Sequence, residues 1–203
     1  MMRRMASYLA IHGVMAALEE RLRRRFPQEL SGAPVNGKVS LLGSEDFRKP
    51  RTTPTVGLYL HRIEIDDANT KRWRAPAVGE LGGPTPELPV ELHFLLVSWA
   101  PSGLHEAQLH AWAFAELAEG TPLRAVDLTP HDSAWREEEA AHLHAAALST
   151  EDLFRIWDAL PGKYTLSSSW RVQGVRVGLR PLPPAVPVQT RLFVMGDPSE
   201  ARS

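Results

Sequence analysis

LSTEDLFRIWDALPGKYTLSSSWRVQGVRVGL, residues 148–179, joins a capped helix, a stop and one long strand with almost no slack between them. Ser149 is a good N-cap, and Asp152 three positions later makes an approximate capping box. Leu153, Trp157 and Leu160 follow at i, i+4 and i+7, an apolar stripe joined by Phe154 and Ile156. Pro161-Gly162 then ends the helix. From Tyr164 the pattern changes to period two, which places Tyr164, Leu166, Ser168, Trp170 and Val172 on one strand face. The parity flips afterwards: Val175, Val177 and Leu179 take the odd register, and Gly174 at the break predicts a β-bulge. Strands usually run ~5–6 residues, so this one either forms the spine of its sheet or projects toward a neighbour.

Elsewhere the chain mixes helices and strands. Ser7 to Phe26 predicts a helix with Ile11, Val14, Met15, Leu18, Leu22 and Phe26 on one face. Arg21, Arg23, Arg24 and Arg25 fall in its last turn, where cations favour the negative end of the helix dipole. Val39–Leu42 is a short strand. Thr55–Ile65 is a strand with Val56, Leu58 and Leu60 on one side and Tyr59 and His61 on the other. Val90–Trp99 is almost continuously apolar, which predicts a central strand. Leu104–Glu119 is a helix closed by Gly120, with Leu109, Trp112, Ala113 and Leu117 turned inward. Trp135–Ala147 has helical composition, yet His142, His144 and Ala146 alternate with Leu143, Ala145 and Ala147; a strand at His142–Leu148 is favoured.

Two segments lack this order. Glu45–Pro54 reads as a basic loop bounded by proline, carrying Arg48, Lys49 and Arg51. Asp66–Pro89 is a long excursion with Pro76, Gly79, Gly82, Gly83 and Pro84, and Lys71-Arg72-Trp73-Arg74 lies inside it. Within them Arg48–Arg51 and Lys71–Arg74 are charged and have few apolar anchors, so these two stretches are expected to order only in a larger assembly. Beyond Arg180, PLPPAVPVQT suits neither a helix nor a central strand, and Arg191–Met195 is a short strand candidate. The domain reading is therefore residues 1–180 as one α/β (α+β) unit, a mixed sheet with three main helices packed on it. Residues 181–203 form an extended, Pro-rich C-terminal arm.

The capped helix with its central Trp and the Tyr-x-Leu-Ser strand after it resemble the tail-terminator, or cap, family of contractile injection systems, which are phage-tail-like particles. The residues that carry the resemblance are Leu153, Trp157 and Leu160, then Tyr164, Leu166 and Ser167, with Trp170 further along the strand. It extends to the N-terminal helix, to Thr55–Arg62 and to Val90–Leu117, roughly residues 6 to 180. The resemblance implies a structural subunit, without catalysis or cofactor, that ends tube and sheath polymerisation. It also implies a homohexameric ring touching tube and sheath proteins, assembled in the cytoplasm and then carried in the particle. A non-permanent assembly adaptor or chaperone of the same particle is the first alternative, and an enzyme, for which the sequence offers no nucleophile, metal or phosphate constellation, is the second.

Composition sets only broad bounds on function. The 203 residues hold 43% hydrophobic and 23% charged residues and a net charge of −1, which gives no argument for nucleic acid or an anionic membrane. There is no cysteine, hence no disulfide, thiolate ligand or Cys nucleophile. The start MMRRMASYLAIHGVMAAL imitates a signal peptide, but His12 breaks the apolar run and Glu19-Glu20 follow it. No run of 18 apolar residues predicts membrane insertion. His142 with His144, joined by His105 and His110, is the best metal constellation, and it lacks any zinc-enzyme spacing. Glu137-Glu138-Glu139 reads as a solvated face, and Ser167-Ser168-Ser169 lacks the glycines of a nucleophile elbow. Trp99, Trp112, Trp157 and Trp170 fall on inward faces. Trp73, flanked by arginines, suits a partner anchor as well as a ring folded back on its own loop. The partner-contact candidates are thus Arg48, Lys49, Arg51, Lys71, Arg72, Trp73 and Arg74.

Overall fold

The structure is a computed structural model, and it describes residues 8–50, 52–70 and 87–178. In chain order come α1 (Ala10–Arg24), β1 (Glu29–Leu30), β2 (Ala33–Pro34), β3 (Lys38–Leu41), a 3-10 turn (Ser44–Arg48) and β4 (Thr55–Ile65). Then follow α2 (Asp67–Thr70), β5 (Glu87–Trp99), α3 (Gly103–Ala118), β6 (Leu123–Arg124), α4 (Ala125–Leu128), β7 (Ala140–Ala145), α5 (Thr150–Asp158) and β8 (Ser167–Gly178). Six strands make one mixed sheet in the order β3-β4-β5-β8-β7-β6, parallel between β3 and β4 and antiparallel elsewhere. The α+β class and the three main helices, α1, α3 and α5, are as the sequence predicts.

The apolar residues sort onto two sides of this sheet. On one side Val14, Leu18 and Leu22 of α1 and Leu109, Ala113 and Leu117 of α3 meet Val56, Leu58, Leu92, Phe94, Leu96, Leu143, Trp170 and Val172. On the other, Trp157 and Leu160 cover Leu95 and Val97 together with Phe47 of the 3-10 turn. Strand β5 is therefore covered on both faces between Phe94 and Val97, which is why its sequence is continuously apolar there. Fully burying one such side chain contributes about 1.5–3 kcal/mol, so these two layers dominate the stability.

Gly174 does what the parity flip requires. Leu92 pairs with Val172 and Val90 with Val175, so Gln173 and Gly174 together oppose Glu91. Gly174 has φ +83°, and a Cβ there would lie 2.6 Å from the Ala140 carbonyl oxygen. The bulge returns Val175 to the same core as Trp170 and Val172 despite the change of register. A second irregularity, between Leu60 and Arg62 of β4, has no glycine to announce it.

Several expectations need correction. Residues 140–145 form a strand as favoured, two residues earlier than expected; Ala141 and Leu143 reach the core only in an extended chain, and this overrides local helix propensity. The long strand starts at Ser167 rather than Tyr164. Tyr164 is half-exposed and packs on α5, on the sheet face opposite Trp170, because Lys163–Leu166 is not yet in the pleat. Phe154 is also half-exposed and rests its ring on Tyr164 instead of joining the core stripe. The segment Glu45–Pro54 is not without anchors, since Phe47 is buried beneath Tyr59 and Trp157. Glu139 is not solvated: it pairs with Arg176 and Arg136. Trp135, unassigned in the sequence reading, belongs to the main core. The added strand at Arg191–Met195 and the arm 181–203 lie outside the described residues.

Candidate functional site

Helix α5 is placed by its ends. Ser149 Oγ accepts from the Asp152 backbone N–H at 3.0 Å, the predicted cap. At the other end Gly162 lies so close to the 3-10 turn that a Cβ would meet the Phe47 carbonyl oxygen at 2.8 Å. Leu153, Trp157 and Leu160 therefore face the sheet, with Trp157 buried and Leu153 at the rim. The Trp157 indole lies edge-on to Phe47 at 5.4 Å and to Tyr164 at 5.6 Å, and its Nε1–H donates to Ser167 Oγ at 3.1 Å. Leu166 bridges to β5 through its carbonyl, which accepts from Ser98 N–H at 3.0 Å. Trp170 points the opposite way, against Phe114 of α3 at 5.0 Å.

The serine run satisfies aromatic and imidazole groups on both faces. Ser168 Oγ accepts from Trp170 Nε1–H at 3.1 Å and meets His110 Nε2 at 3.1 Å, while His110 Nδ1 meets Ser98 Oγ at 3.0 Å. His110 thus stitches α3 to β5 and β8, and burial pushes its pKa below the ordinary value. These serines act as hydrogen-bond partners that fix two indole rings and one imidazole to the sheet.

α5 and the 3-10 turn cover half of their sheet face. The other half is polar and carries one row of side chains across four strands: Arg62 of β4, His93 of β5, Arg171 of β8 and His144 of β7 stand directly opposite one another. The next row holds Glu64, Glu91, Gln173 and His142. His93 Nε2 lies 3.0 Å from Glu64 Oε2, Glu64 pairs with Arg62, and Gln173 Nε2 donates to Glu91 Oε1 at 2.5 Å. His61 sits beside this patch at the β4 irregularity, its ring 6.4 Å from that of His93. Burial lowers its pKa to about 4, with the charges of His93 and Arg62 adding to the effect. Among the described residues no three His, Asp or Glu are grouped to hold a metal. What the patch offers is alternating donors and acceptors fixed on a rigid sheet, chemistry for recognising a protein surface. The sequence reading missed it, although the alternation of β4 and β8 carries the signal.

Of the predicted contact residues, Arg48 and Lys49 lie at the end of the 3-10 turn, paired locally with Glu45 at 3.2 Å and Asp46 at 2.6 Å. Such exposed pairs contribute at most ~1 kcal/mol and exchange readily for an outside carboxylate. Arg51, Lys71, Arg72, Trp73 and Arg74 lie outside the described residues. A charge cluster stands where that excursion rejoins the sheet: Glu87 lies 3.1 Å from half-exposed Arg136 and 3.5 Å from Arg176, and Arg176 also pairs with Glu139.

Comparisons with known proteins bear on this fold. A family model described as the Pvc16 N-terminal domain matches residues 13–191. Among solved structures, the chain is similar to the PVC sheath/tube terminator of an extracellular contractile injection system, in its extended state. There the TM-score is 0.54 and the identity 16%, covering 95% of this chain and 65% of that one. It is also similar to the anti-feeding prophage cap, a tube-terminating cap, with a TM-score of 0.48 and 15% identity, covering 90% of this chain and 60% of that one. The chain thus spans about two thirds of the length of the first and less of the second. No curated protein matches it.

Proposed function

Because the chain belongs to the Pvc16 N-terminal domain family, we propose that it is a cap subunit of a contractile injection system, ending tube and sheath growth as a ring. The family match over residues 13–191 carries this reading, and the shared fold with a sheath/tube terminator supports it. The proposed ring is a homohexamer, assembled in the cytoplasm and then carried in the particle with tube and sheath proteins as neighbours. The subunit is structural, not catalytic. Termination needs a surface that docks on the last ring and no equivalent surface above it. A closed heterologous ring needs complementary flanks as well. The half-covered sheet face, rigid and polar, is suited to one of these contacts.

Deleting the gene and imaging the particles tests this. Tubes or sheaths of uncontrolled length, or particles lost for want of an upper end, are expected, with the protein found by mass spectrometry in purified wild-type particles. Particles of normal length, number and upper end would overturn the cap. Absence of the protein from intact particles would favour an assembly adaptor.

A further inference from the structure

Among the described residues, the outer edge of β4 is paired along only half its length. β3 pairs with it from Thr55 to Leu58, and Leu42 N–H donates to Leu58 O at 2.9 Å as the last bond. β4 continues to Ile65, held on its inner side by β5 as far as the Ile65–Val90 pair. Along Leu60–Ile65 no described strand pairs with the outer side. Ile63 and Ile65 are 48% and 53% exposed there, on the core face of the sheet just beyond the helices. An edge that no described strand covers, and that also presents two isoleucines in register, is a template for one more strand.

We propose that Arg191–Met195 of the same chain adds to this edge as a seventh strand, antiparallel to β4 along Leu60–Ile65. The topology brings the chain to the right place. β4 and β8 both run antiparallel to β5, so they are parallel to each other, and Gly178 ends β8 opposite Glu87, beyond the Ile65 end of β4. Both β5 and β4 lie between β8 and the outer side of β4, so the crossing spans three strand spacings, about 14 Å. Twelve residues, 179–190, link Gly178 to Arg191, and Pro181, Pro183, Pro184 and Pro187 bar most of them from a ladder. Extended at ~3.1 Å per residue, such a spacer reaches about 37 Å, more than twice what is needed.

The sequence RLFVM then supplies a proline-free run of strand-forming residues. Leu192 and Val194 alternate with Arg191, Phe193 and Met195, so one face of the added strand sets two branched aliphatic side chains against Ile65 and Ile63. A tether this short favours pairing within one chain over pairing between chains, at an effective concentration on the order of millimolar. The inference does not rest on the cap reading.

The absence of cysteine makes disulfide trapping specific. Ile63→Cys is combined in the full chain with Leu192→Cys, Phe193→Cys or Val194→Cys to scan the register. Leu104→Cys with Val194→Cys serves as control. One β4 pair is expected to close under mild oxidation as a monomer while the control stays reduced. If every pair stays reduced, or if bonds form only in covalent dimers, the intrachain strand is wrong. Hydrogen exchange gives a reading free of mutation in the sheet. A chain truncated after Thr190 should exchange its 60–65 amides at least ten-fold faster than the full chain, with the β5–β8 amides unchanged. Equal exchange at 60–65 in the two chains would overturn the proposal.

Discussion

Trp157 sits where α5, the 3-10 turn and the start of β8 converge, and it is only 3% exposed. Replacing it by Ala is expected to cost ~3–5 kcal/mol, because Phe47, Tyr164, Leu95 and Val97 cannot all collapse into the space. Urea unfolding measures this, and a variant as stable as the parent would show that α5 does not depend on its indole. Ser167→Ala is the finer test: it leaves the indole N–H without its acceptor and should cost about 1–3 kcal/mol. The inward face of Trp157 was legible from spacing alone. Its separation from Trp170 was not, because strand parity had been carried back through Lys163–Leu166, where the chain is not pleated. Phe47 was missed for a related reason: one apolar residue among Glu45, Asp46, Arg48 and Lys49 has no periodicity to betray it, and only α5 folding over it supplies a core.

At the scale of elements, two strands are bent by bulges and only one was legible. Gly174 marked its own position, since the alternation reversed across a residue free to adopt positive φ. Gly174→Ala should cost about 1–3 kcal/mol through backbone strain, with a further loss as its Cβ meets the Ala140 carbonyl. A Tm unchanged from the parent would mean the bulge relaxes freely. The irregularity at His61 was silent because Leu60 and Ile63 keep plausible faces in either register. His61 gives this element a pH dependence. Its folded pKa, about 4, lies below the ordinary 6.5, so folding favours the neutral ring. That contribution is present above pH 6.5 and is lost as pH falls from 6.5 toward 4. His110, lowered by burial, acts in the same direction. The groups around His61 are His93 and Arg62, with Glu64 and Glu91 beside His93. The urea midpoint should therefore drop between pH 7 and pH 4.5, and His61→Gln should flatten part of the drop. A His61→Gln profile parallel to the parent's would show that the ring titrates normally.

For the whole molecule, contacts with neighbours are expected where the chain leaves its two cores. Lys71, Arg72, Trp73 and Arg74 belong to the connection between β4 and β5, which returns to the sheet at the Glu87–Arg136–Arg176–Glu139 cluster. That cluster fixes Glu87, the first residue of β5, with ion pairs that involve none of these four residues. Substituting Arg72, Trp73 and Arg74 together by Ala should accordingly leave Tm close to the parent's and weaken incorporation into the particle. If Trp73 anchors a partner, the loss is ~2 kcal/mol or more in binding, about a thirty-fold change in the amount retained at limiting concentration. If the arginines meet acidic residues, retention by the parent falls as salt rises, since exposed charges are screened over ~8–10 Å near physiological ionic strength. The triple variant should then show a flatter salt response. Quantifying the subunit on purified particles across a salt series reads both effects. Equal retention of parent and variant at every salt concentration would remove the β4–β5 connection from the interface and leave the polar half of the sheet face as the surface to test next.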